Sequence, residues 1–537
     1  MGLLDNIFSS KKVSALLRKA ADFISEKDYK NSLQIYSEVL ELEPANIDAK
    51  YGRAVCNFNL NNFPSAEKDF NDLVNADTQP SPNSFYYLAM IKYDSGNLVD
   101  ALFFTNKFLV VSLKKSEGYH LRAKIKHDQK EYLQALDDAQ KAFDLMPDSH
   151  DALYLLAKIH YELHEYKKAV VLFNKLIEVN SNYLNAFIYR GLSRQNLQEP
   201  NEALNDFDEA IKINPKSAEA HYGKSVTLYN SKQSDEALFN LNKAIDLNNN
   251  YYDAYLLRAE IYYKMDMPDE SFKDYNKLIE LEPSNPEFYF RSAKLKKALF
   301  DFKGAYSYCK KALELEEKIE YIVELSEIEE ANENYTTALE LVNKAITLNS
   351  KDHHLFIKRG ILQFKNKSYH EALKDFNEVL KIDPKCCEAF YYRAKVKEVF
   401  SDTHGAMSDY TLALSNPDYF DAYLDRGKLR LEDKQFRAAE LDFTKALKLR
   451  PQSSRIFFLR ANALKNMGKN NEAIDDLDKA ISLNLSYVCA YFMRGFLNFS
   501  IRRYKLALAD WEQTLRLDKN YYSKLTPYIE SARAKLA

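Results

Sequence analysis

Two pairs of histidines come closest to metal chemistry in this 537-residue sequence. His160 and His164 stand four residues apart, the spacing that places two side chains on one face of a helix. His353 and His354 are adjacent, so we expect their imidazoles to point in two directions. Two ligands are too few for a structural zinc site, which takes four. The sequence therefore predicts no metal site, and we interpret these residues as ordinary core or surface histidines.

The cysteines give no sign of redox chemistry. Their number is odd, none belongs to a CxxC pair, and no disulfide is expected between the adjacent Cys386 and Cys387. This pattern is typical of reduced thiols in a cytosolic protein. The chain also lacks a glycine-rich phosphate loop, a GxSxG turn and an HExxH motif. We therefore predict a non-enzymatic, cytoplasmic protein with no cofactor.

The most regular chemical pattern is an arginine that stands sixteen residues before an aspartate. A guanidinium and a carboxylate can form a bidentate ion pair. Such a pattern marks either a site for a charged ligand or a contact that repeats with the fold. Nine pairs occur: Arg53/Asp69, Arg122/Asp138, Arg190/Asp206, Arg258/Asp274, Arg359/Asp375, Arg393/Asp409, Arg426/Asp442, Arg460/Asp476 and Arg494/Asp510.

These pairs belong to a longer repeat that runs along almost the whole chain. Alanines recur every 33 to 35 residues from Ala66 to Ala507, with a serine at Ser271 in the series. A small residue stands twelve positions before most of them, and a large apolar residue usually stands four positions after. Glycine and proline are scarce, at 12 and 14 residues, which favours helices joined by short turns. Proline often closes the repeat, as at Pro44, Pro147, Pro215, Pro283, Pro384 and Pro451.

The pattern resembles the tetratricopeptide repeat (TPR) family, whose unit is a helix–turn–helix of 34 residues. The resemblance implies an all-α fold, a right-handed α-solenoid superhelix of about 15 repeats with the first helices on its concave side. A C-terminal capping helix is predicted over 522–537, with Thr526 as the N-cap and Pro527 as the first residue. Residues 1–12 form an apolar N-terminal segment that folds back over the first repeat or docks elsewhere. The fifteen repeats are 13–46, 47–80, 82–115, 116–149, 150–183, 184–217, 218–251, 252–285, 286–318, 319–352, 353–386, 387–419, 420–453, 454–487 and 488–521.

The repeat explains the spacing of the arginines and aspartates. Position 7 of a repeat holds the arginine and position 23 the aspartate, which face each other across a turn near position 15. In the six other repeats neither residue type stands at its position, and Leu156 with Leu172 is one substitute. A buried charge without its partner costs several kcal/mol, whereas an apolar pair can replace both residues. We therefore predict ion pairs that hold each hairpin together and exclude them as a ligand site.

The binding surface is expected on the first helices, at positions 5, 9 and 12 of each repeat. Tyrosine there offers a bound chain an apolar ring and a hydroxyl, although position 5 also packs against the next repeat. A polar subsite would be a solvated face, would recognise a basic segment, or would pair its charges across neighbouring helices. That subsite consists of Lys294, Lys297, Glu327 and Glu330. The apolar and aromatic residues are Tyr51, Phe58, Tyr86, Met90 and Tyr93, followed by Tyr154, Tyr161, Tyr222 and Tyr229.

Composition and pattern argue against several kinds of partner. The net charge of −3 is small, and no continuous basic and aromatic stripe for nucleic acid is present. No window approaches eighteen apolar residues, so no transmembrane segment is expected. Some TPR proteins hold the C-terminal carboxylate of heat-shock chaperones with a lysine at position 5 and an asparagine at position 9. No repeat here carries that lysine, which argues against such a clamp.

The leading hypothesis is a non-enzymatic scaffold or adaptor that binds an extended peptide or an amphipathic helix of a partner protein in the concave groove. The alternative is a structural component of a large assembly that self-associates, as a homo-oligomer, or docks through its ends. A third hypothesis, the regulatory subunit of an enzyme, has a precedent in the family, but no catalytic domain is expected after the repeats. The sequence does not identify the partner.

Overall fold

The computed structural model describes residues 2–76, 81–113 and 115–537. Within these residues the chain consists of α-helices, one 3-10 helix and short turns. It divides into two compact lobes, an N-terminal lobe that ends at Asp266 and a C-terminal lobe that begins at Met267. In both lobes consecutive helices pack as hairpins. The predicted all-α solenoid class is confirmed.

The described residues of the N-terminal lobe form α1 (Gly2–Ser25), α2 (Tyr29–Leu42), α3 (Ile47–Asn59), α4 (Phe63–Ala76), α5 (Pro82–Asp94), α6 (Leu98–Val111), α7 (Lys115–Asp128), α8 (Tyr132–Leu145), α9 (His150–Glu162), α10 (Tyr166–Val179), α11 (Leu184–Asn196), α12 (Pro200–Ile213), α13 (Ala218–Asn230), α14 (Ser234–Leu247) and α15 (Tyr252–Lys264).

Those of the C-terminal lobe form α16 (Pro268–Leu281), α17 (Pro286–Ala298), α18 (Phe302–Leu315), α19 (Ile319–Ala331), α20 (Tyr335–Leu348), α21 (His353–Lys365), α22 (Tyr369–Ile382), α23 (Cys387–Val399), α24 (Thr403–Ala413), α25 (Phe420–Glu432), α26 (Phe436–Leu449), α27 (Ser454–Asn466), α28 (Asn470–Leu483), α29 (Val488–Ser500), α30 (Tyr504–Leu517) and, after a 3-10 turn at Lys519–Tyr521, α31 (Tyr522–Ala534).

A left-handed residue marks the turn between the two helices of each predicted repeat. It stands at position 15 in all fifteen repeats, with φ between 57° and 78°. Only Gly96 and Gly468 are glycines; lysines such as Lys27 and Lys434 take this conformation elsewhere. The left-handed region costs an L-residue roughly 1–2 kcal/mol. In the repeats that lie within one lobe, the turn geometry is therefore held by the packing of the two helices rather than by glycine.

The prolines that close the repeats lie where the second helices end. Pro44 stands two residues after Leu42, the last residue of α2, and the other five prolines hold the same place. A proline cannot continue a helix, because its nitrogen carries no hydrogen and its ring clashes with the preceding turn. The next first helix then begins behind a capping side chain. Asn46, Ser149 and Ser217 each accept a hydrogen bond from the amide three residues further on.

Small residues on the first helices let large side chains of the second helices reach the core. Phe207, Phe376, Phe443 and Trp511 are fully buried. A methyl group placed on Gly427 would lie 2.7 Å from the Phe443 ring, so that ring packs directly on the helix backbone. This close packing joins the two helices of a hairpin.

The predicted ion pairs between arginine and aspartate are confirmed in both lobes. In each pair Nε and Nη2 of the arginine donate to the carboxylate, and the shortest Nη2–Oδ1 distances are 2.5 to 2.7 Å. All eight of these aspartates are buried. The ninth predicted pair, Arg258 with Asp274, has one residue in each lobe and stays a prediction. The eight observed pairs begin at Arg53, Arg122, Arg190, Arg359, Arg393, Arg426, Arg460 and Arg494.

The same arginines also bind the preceding repeat, a contact that the sequence analysis missed. In four of these eight repeats Nη1 donates to an asparagine that stands sixteen residues earlier, on the preceding second helix. Asn377 Oδ1 lies 2.8 Å from Arg393 Nη1. A threonine has this role for Arg460, with Thr444 Oγ1 at 3.1 Å from Nη1. These guanidinium groups therefore join neighbouring hairpins as well as the two helices of one.

The predicted N-cap and first residue of the capping helix, Thr526 and Pro527, are wrong. α31 begins at Tyr522, and Pro527 lies inside it instead of at its first position. Thr526 is not the N-cap; its hydroxyl donates to the Tyr522 carbonyl at 2.8 Å. The proline removes one backbone hydrogen bond, but Ile529 packs in one cluster with Trp511 and holds the helix in place. Tertiary packing here outweighs the local preference for proline at a helix start.

At the other end, residues 2–12 belong to α1, a single helix that continues to Ser25. Val13 and Ala20 of this helix are buried in a cluster with residues of α2 and α3. The predicted boundary at residue 12 therefore lies inside a helix. Among the helices of the described residues, none has the length and apolar character that a membrane span requires.

Candidate partner-binding grooves

The first helices of neighbouring repeats contact one another within each lobe. α7 contacts α9 and α9 contacts α11 in the N-terminal lobe, while α17 contacts α19 and α21 contacts α23 in the C-terminal lobe. Side chains at positions 5, 9 and 12 of successive repeats therefore lie side by side. All thirteen residues that the sequence analysis assigned to the groove are partly buried, so each keeps some surface open to solvent.

A groove of about 650 Å³ runs across four of these helices in the C-terminal lobe. We call it the α17–α23 groove. Val323, Ile361 and Tyr392 present partly exposed apolar surface in it, and buried side chains such as Phe290 and Leu355 complete the lining. Apolar surface with charged residues beside it suits an extended chain that places alternate side chains in pockets.

Most of the charges in and beside this groove are paired across neighbouring helices. Lys297 Nζ lies 2.6 Å from Glu324 Oε1 and 2.7 Å from Glu327 Oε2. Glu327 also pairs with Lys358, and Lys365 lies 2.6 Å from Glu330. Of the interpretations that the sequence left open for the polar subsite, pairing across helices is the one observed for Lys297, Glu327 and Glu330.

The pairing shifts the ionisation of both partners. Burial acts to lower the pKa of Lys297, but its hydrogen bonds to Glu324 and Glu327 outweigh burial and raise the pKa above its ordinary value. Burial acts to raise the pKa of Glu327, and the ammonium groups of Lys297 and Lys358 outweigh it and lower the pKa. Both side chains therefore stay charged at neutral pH.

The charges that remain in the groove are mainly negative. Glu320 and Glu388 line it, and within the described residues neither takes part in an ion pair. Asp352 lines it as well. Lys294, the fourth residue of the predicted polar subsite, lies with its ammonium 4.5 Å from the centre of the Phe290 ring. A partner segment in this groove would meet more free carboxylates than free ammonium groups.

In the N-terminal lobe the structure brings Tyr93 and Tyr154 together at a smaller cavity of about 370 Å³. Tyr93 donates its hydroxyl to Asp128 Oδ2 at 2.5 Å, and Lys124 Nζ lies 4.8 Å from the centre of its ring. Burial raises the pKa of Tyr154, which keeps its phenol neutral. Lys158 lines the cavity too. This surface is more polar than the apolar subsite that we predicted for the region.

The first predicted aromatic residues have a clear packing role. The ring of Tyr87, on the next first helix, lies 4.9 Å from Phe58 and 6.5 Å from Tyr51. Tyr86 lies 5.1 Å from Phe108 of its own hairpin. Neither Tyr51 nor Phe58 lines either of the two cavities described above, and nor does Met90. The rings of Tyr51 and Phe58 therefore pack against the next repeat.

Two of the later tyrosines also pack against another aromatic ring, and Tyr229 does not. Tyr161 packs 5.4 Å from Tyr189, and Tyr222 packs 5.0 Å from Tyr251. Tyr229 instead accepts a hydrogen bond from Lys264 Nζ at 2.6 Å.

The sequence analysis missed several groove residues that their position in the repeat could have indicated. Lys124 and Lys158 both stand at position 9 of neighbouring repeats, and Ile361 stands at position 9 of a later one. Position 9 was assigned to the groove only at Met90, Lys294 and Glu327. Tyr392 and Glu388 stand at other positions and are recognisable only from the cavity.

The two histidine pairs differ in structure. His160 Nδ1 lies 2.6 Å from Glu165 Oε2, and His164 Nδ1 lies 2.7 Å from the Tyr166 hydroxyl, so these imidazoles have separate partners.

The expectation that His353 and His354 point in two directions is wrong, because their ring centres lie 4.2 Å apart with a tilt of 33°. They are the first two residues of α21, where no preceding helical turn restricts their rotamers.

Comparison with protein families identifies the repeat. A profile described as "Anaphase-promoting complex, cyclosome, subunit 3" matches residues 94–176. Profiles described as "Tetratricopeptide repeat" match residues 23–85, 190–251, 252–285, 353–386 and 454–487. The chain is a tetratricopeptide repeat protein. The tetratricopeptide profiles match both lobes of the TPR protein, and together with the anaphase-promoting complex profile they cover more than half of its length.

Curated relatives of this TPR protein match parts of it. "Tetratricopeptide repeat protein 13" of Homo sapiens is 36% identical over 115 residues, which are 20% of this chain and 13% of that protein. The "DnaJ homolog subfamily C member 7 homolog" of Dictyostelium discoideum is 25% identical over 207 residues, 35% of this chain and 38% of that protein. The "Hsp70-Hsp90 organizing protein" of Triticum aestivum is 22% identical over 251 residues, 41% and 39% of the two chains. The chain spans less than two fifths of each of these relatives.

Solved structures are similar at low identity. The structure of the "APC/C hetero-tetramer Cut9-Hcn1" is 15% identical and covers 91% of this chain and 97% of that chain, with a TM-score of 0.37. A tetratricopeptide repeat protein from Parabacteroides merdae is 22% identical and covers 46% of this chain and 98% of that chain, with a TM-score of 0.36.

Proposed function

We propose that this TPR protein is a non-enzymatic scaffold that holds an extended segment of a partner protein in the α17–α23 groove. Proteins of its family generally mediate protein–protein interactions and the assembly of complexes. The observation that carries the proposal is the groove itself. Its volume of about 650 Å³ and its partly exposed Val323, Ile361 and Tyr392 offer an apolar surface that accepts side chains.

The charges of the groove favour a segment that carries a basic residue beside apolar ones. Lys358 and Lys365 are held by Glu327 and Glu330, so they offer little to an acidic ligand. Glu320 and Glu388 remain for a lysine or arginine of the partner. Such charges contribute chiefly to the association rate and to the choice of partner, while the apolar contacts supply affinity.

A pair of isoleucine variants tests this proposal. Ile361→Asp places a carboxylate in the apolar part of the groove, whereas Ile382→Asp alters an isoleucine that is 60% exposed on the second helix α22. We expect Ile361→Asp to weaken partner binding at least about tenfold and Ile382→Asp to leave it unchanged. Crosslinking mass spectrometry on the full chain captured from its native lysate would identify the partner and its crosslinks to Lys294.

The contrary outcome is equally specific. If both variants retain a partner with equal affinity and its crosslinks fall on α1 or α31, the groove is not the binding site. That result would favour the alternative of a structural component that docks through its ends.

A further inference from the structure

Asp352, His353 and His354 form a cluster of metal-ligating side chains at the edge of the α17–α23 groove. One carboxylate oxygen and one nitrogen from each imidazole lie within 4.8 Å of one another. His354 is exposed, the other two residues are partly buried, and both Asp352 and His354 line the groove. Among the residues that the structure describes, this is a group of three ligand-type side chains close enough to meet at one ion.

The donor set matches a divalent transition metal. Two imidazoles and a carboxylate are the ligands that Zn²⁺ accepts in sites with three protein ligands and one open position. Asp352 Oδ1 caps α21 by accepting the His354 amide at 3.0 Å, which leaves its other oxygen for an ion. Because the two histidines stand in the first turn of the helix, modest side-chain rotation can bring their nitrogens to bonding distance.

The surrounding charges decide whether a cation is tolerated here. The N-terminus of α21 carries the positive end of the helix dipole and opposes a cation. Glu320 and Glu388 line the same groove and form no ion pair within the described residues, so their negative charges favour a cation. Lys358 and Lys365 are neutralised by their glutamates, which leaves Lys294 as the opposing ammonium among the lysines that line the groove.

We propose that Asp352, His353 and His354 bind a divalent transition-metal ion, for which Zn²⁺ is the probe. The site does not depend on the proposed peptide function, because its three ligands belong to this chain. Three protein ligands leave a coordination position for water or for a donor group of a bound segment. A metal here would add a chemically specific contact at the edge of a groove that otherwise recognises shape and charge.

Isothermal titration of the full chain with zinc tests the site directly. The wild type is expected to bind one zinc ion that the His353→Ala/His354→Ala double variant binds at least about tenfold more weakly. Asp352→Asn is expected to weaken binding as well, although asparagine keeps the helix cap. His150→Ala is the matched control, since His150 has the same first position in α9 that His353 has in α21. Its zinc affinity should equal that of the wild type.

Cysteine thiols also bind zinc, so a second variant distinguishes binding by thiols from binding by the histidine cluster. Cys386 and Cys387 are partly exposed at the start of the next first helix. The proposal fails if Cys386→Ser/Cys387→Ser abolishes binding while the double histidine variant retains it. It fails equally if the wild type shows no saturable zinc binding. Circular dichroism on every variant confirms that the helices are intact, so a loss of binding reports on the ligands.

Discussion

At the scale of single residues, one guanidinium contacts two hairpins at once. Arg460 donates through Nε and Nη2 to Asp476, at 2.8 and 2.7 Å, and through Nη1 to Thr444 of the preceding repeat. The aspartate was predictable because charges that need each other appear and disappear together in the repeats. The partner on the preceding helix was not, since asparagine and threonine are neutral and carry no such all-or-none signal.

We expect Asp476→Ala to destabilise its hairpin by about 2–3 kcal/mol, less than a fully buried pair because Arg460 keeps some exposure to solvent. Arg460→Leu/Asp476→Leu should cost less than Asp476→Ala, since Leu156 and Leu172 hold the same two positions in another repeat. Amide hydrogen exchange in α27 and α28 measures both effects. If the double variant loses as much stability as Arg460→Leu and Asp476→Leu lose together, the two residues are not coupled.

At the scale of helices, small residues on the first helix set how closely the second approaches. A methyl group on Gly495 would lie 2.6 Å from Cδ1 of Trp511. That indole is surrounded by the rings of Phe496, Phe499 and Tyr528 at 5.1 to 6.0 Å, so it has little room to move. The ring of Phe443 faces Gly427 at a similar distance without such an aromatic enclosure.

Gly495→Ala is therefore expected to destabilise the last hairpin by about 1–3 kcal/mol through overpacking. Gly427→Ala is the matched control and should change stability by less than about 1 kcal/mol, because the gain in helix propensity offsets a small ring shift. Alanine already stands opposite a phenylalanine in the Ala157 and Phe173 pair. Hydrogen exchange in α29–α30 and in α25–α26 compares the two. Equal losses would mean that the aromatic enclosure of Trp511 does not restrict it.

At the scale of the whole chain, stability in a repeat protein is the sum of local contacts between neighbours. α31 has no further helix after it in the described residues and covers Trp511, the single tryptophan of the sequence. Removal of α31 is therefore expected to destabilise the last hairpin most and to have a smaller effect on each earlier hairpin.

Removal of residues 522–537 is expected to expose Trp511 and to shift its fluorescence to longer wavelength. Hydrogen exchange should accelerate in α29 and α30, while amides of the N-terminal lobe keep their protection. An unchanged tryptophan spectrum would show that α31 is not needed to bury the indole. Accelerated exchange throughout the chain would contradict the local character of the repeats.

The sequence by itself determined the all-α solenoid class, the stops at proline and the ion pairs between positions 7 and 23. These features depend on residues within one repeat of about 34 positions, where spacing alone decides which side chains meet. The place of Pro527 inside the last helix escaped prediction, because packing of Ile529 with Trp511 outweighed the local preference of proline for a helix start.

Only the tertiary structure decided which charges stay free and which surfaces form a cavity. The α17–α23 groove draws on four first helices, and Lys297 is paired by glutamates one repeat away. The approach of His353 to His354 depends on rotamers at a helix start. Such arrangements depend on how successive hairpins stack and on side-chain orientation. Neither produces a regular spacing of residues that can be recognised in the sequence.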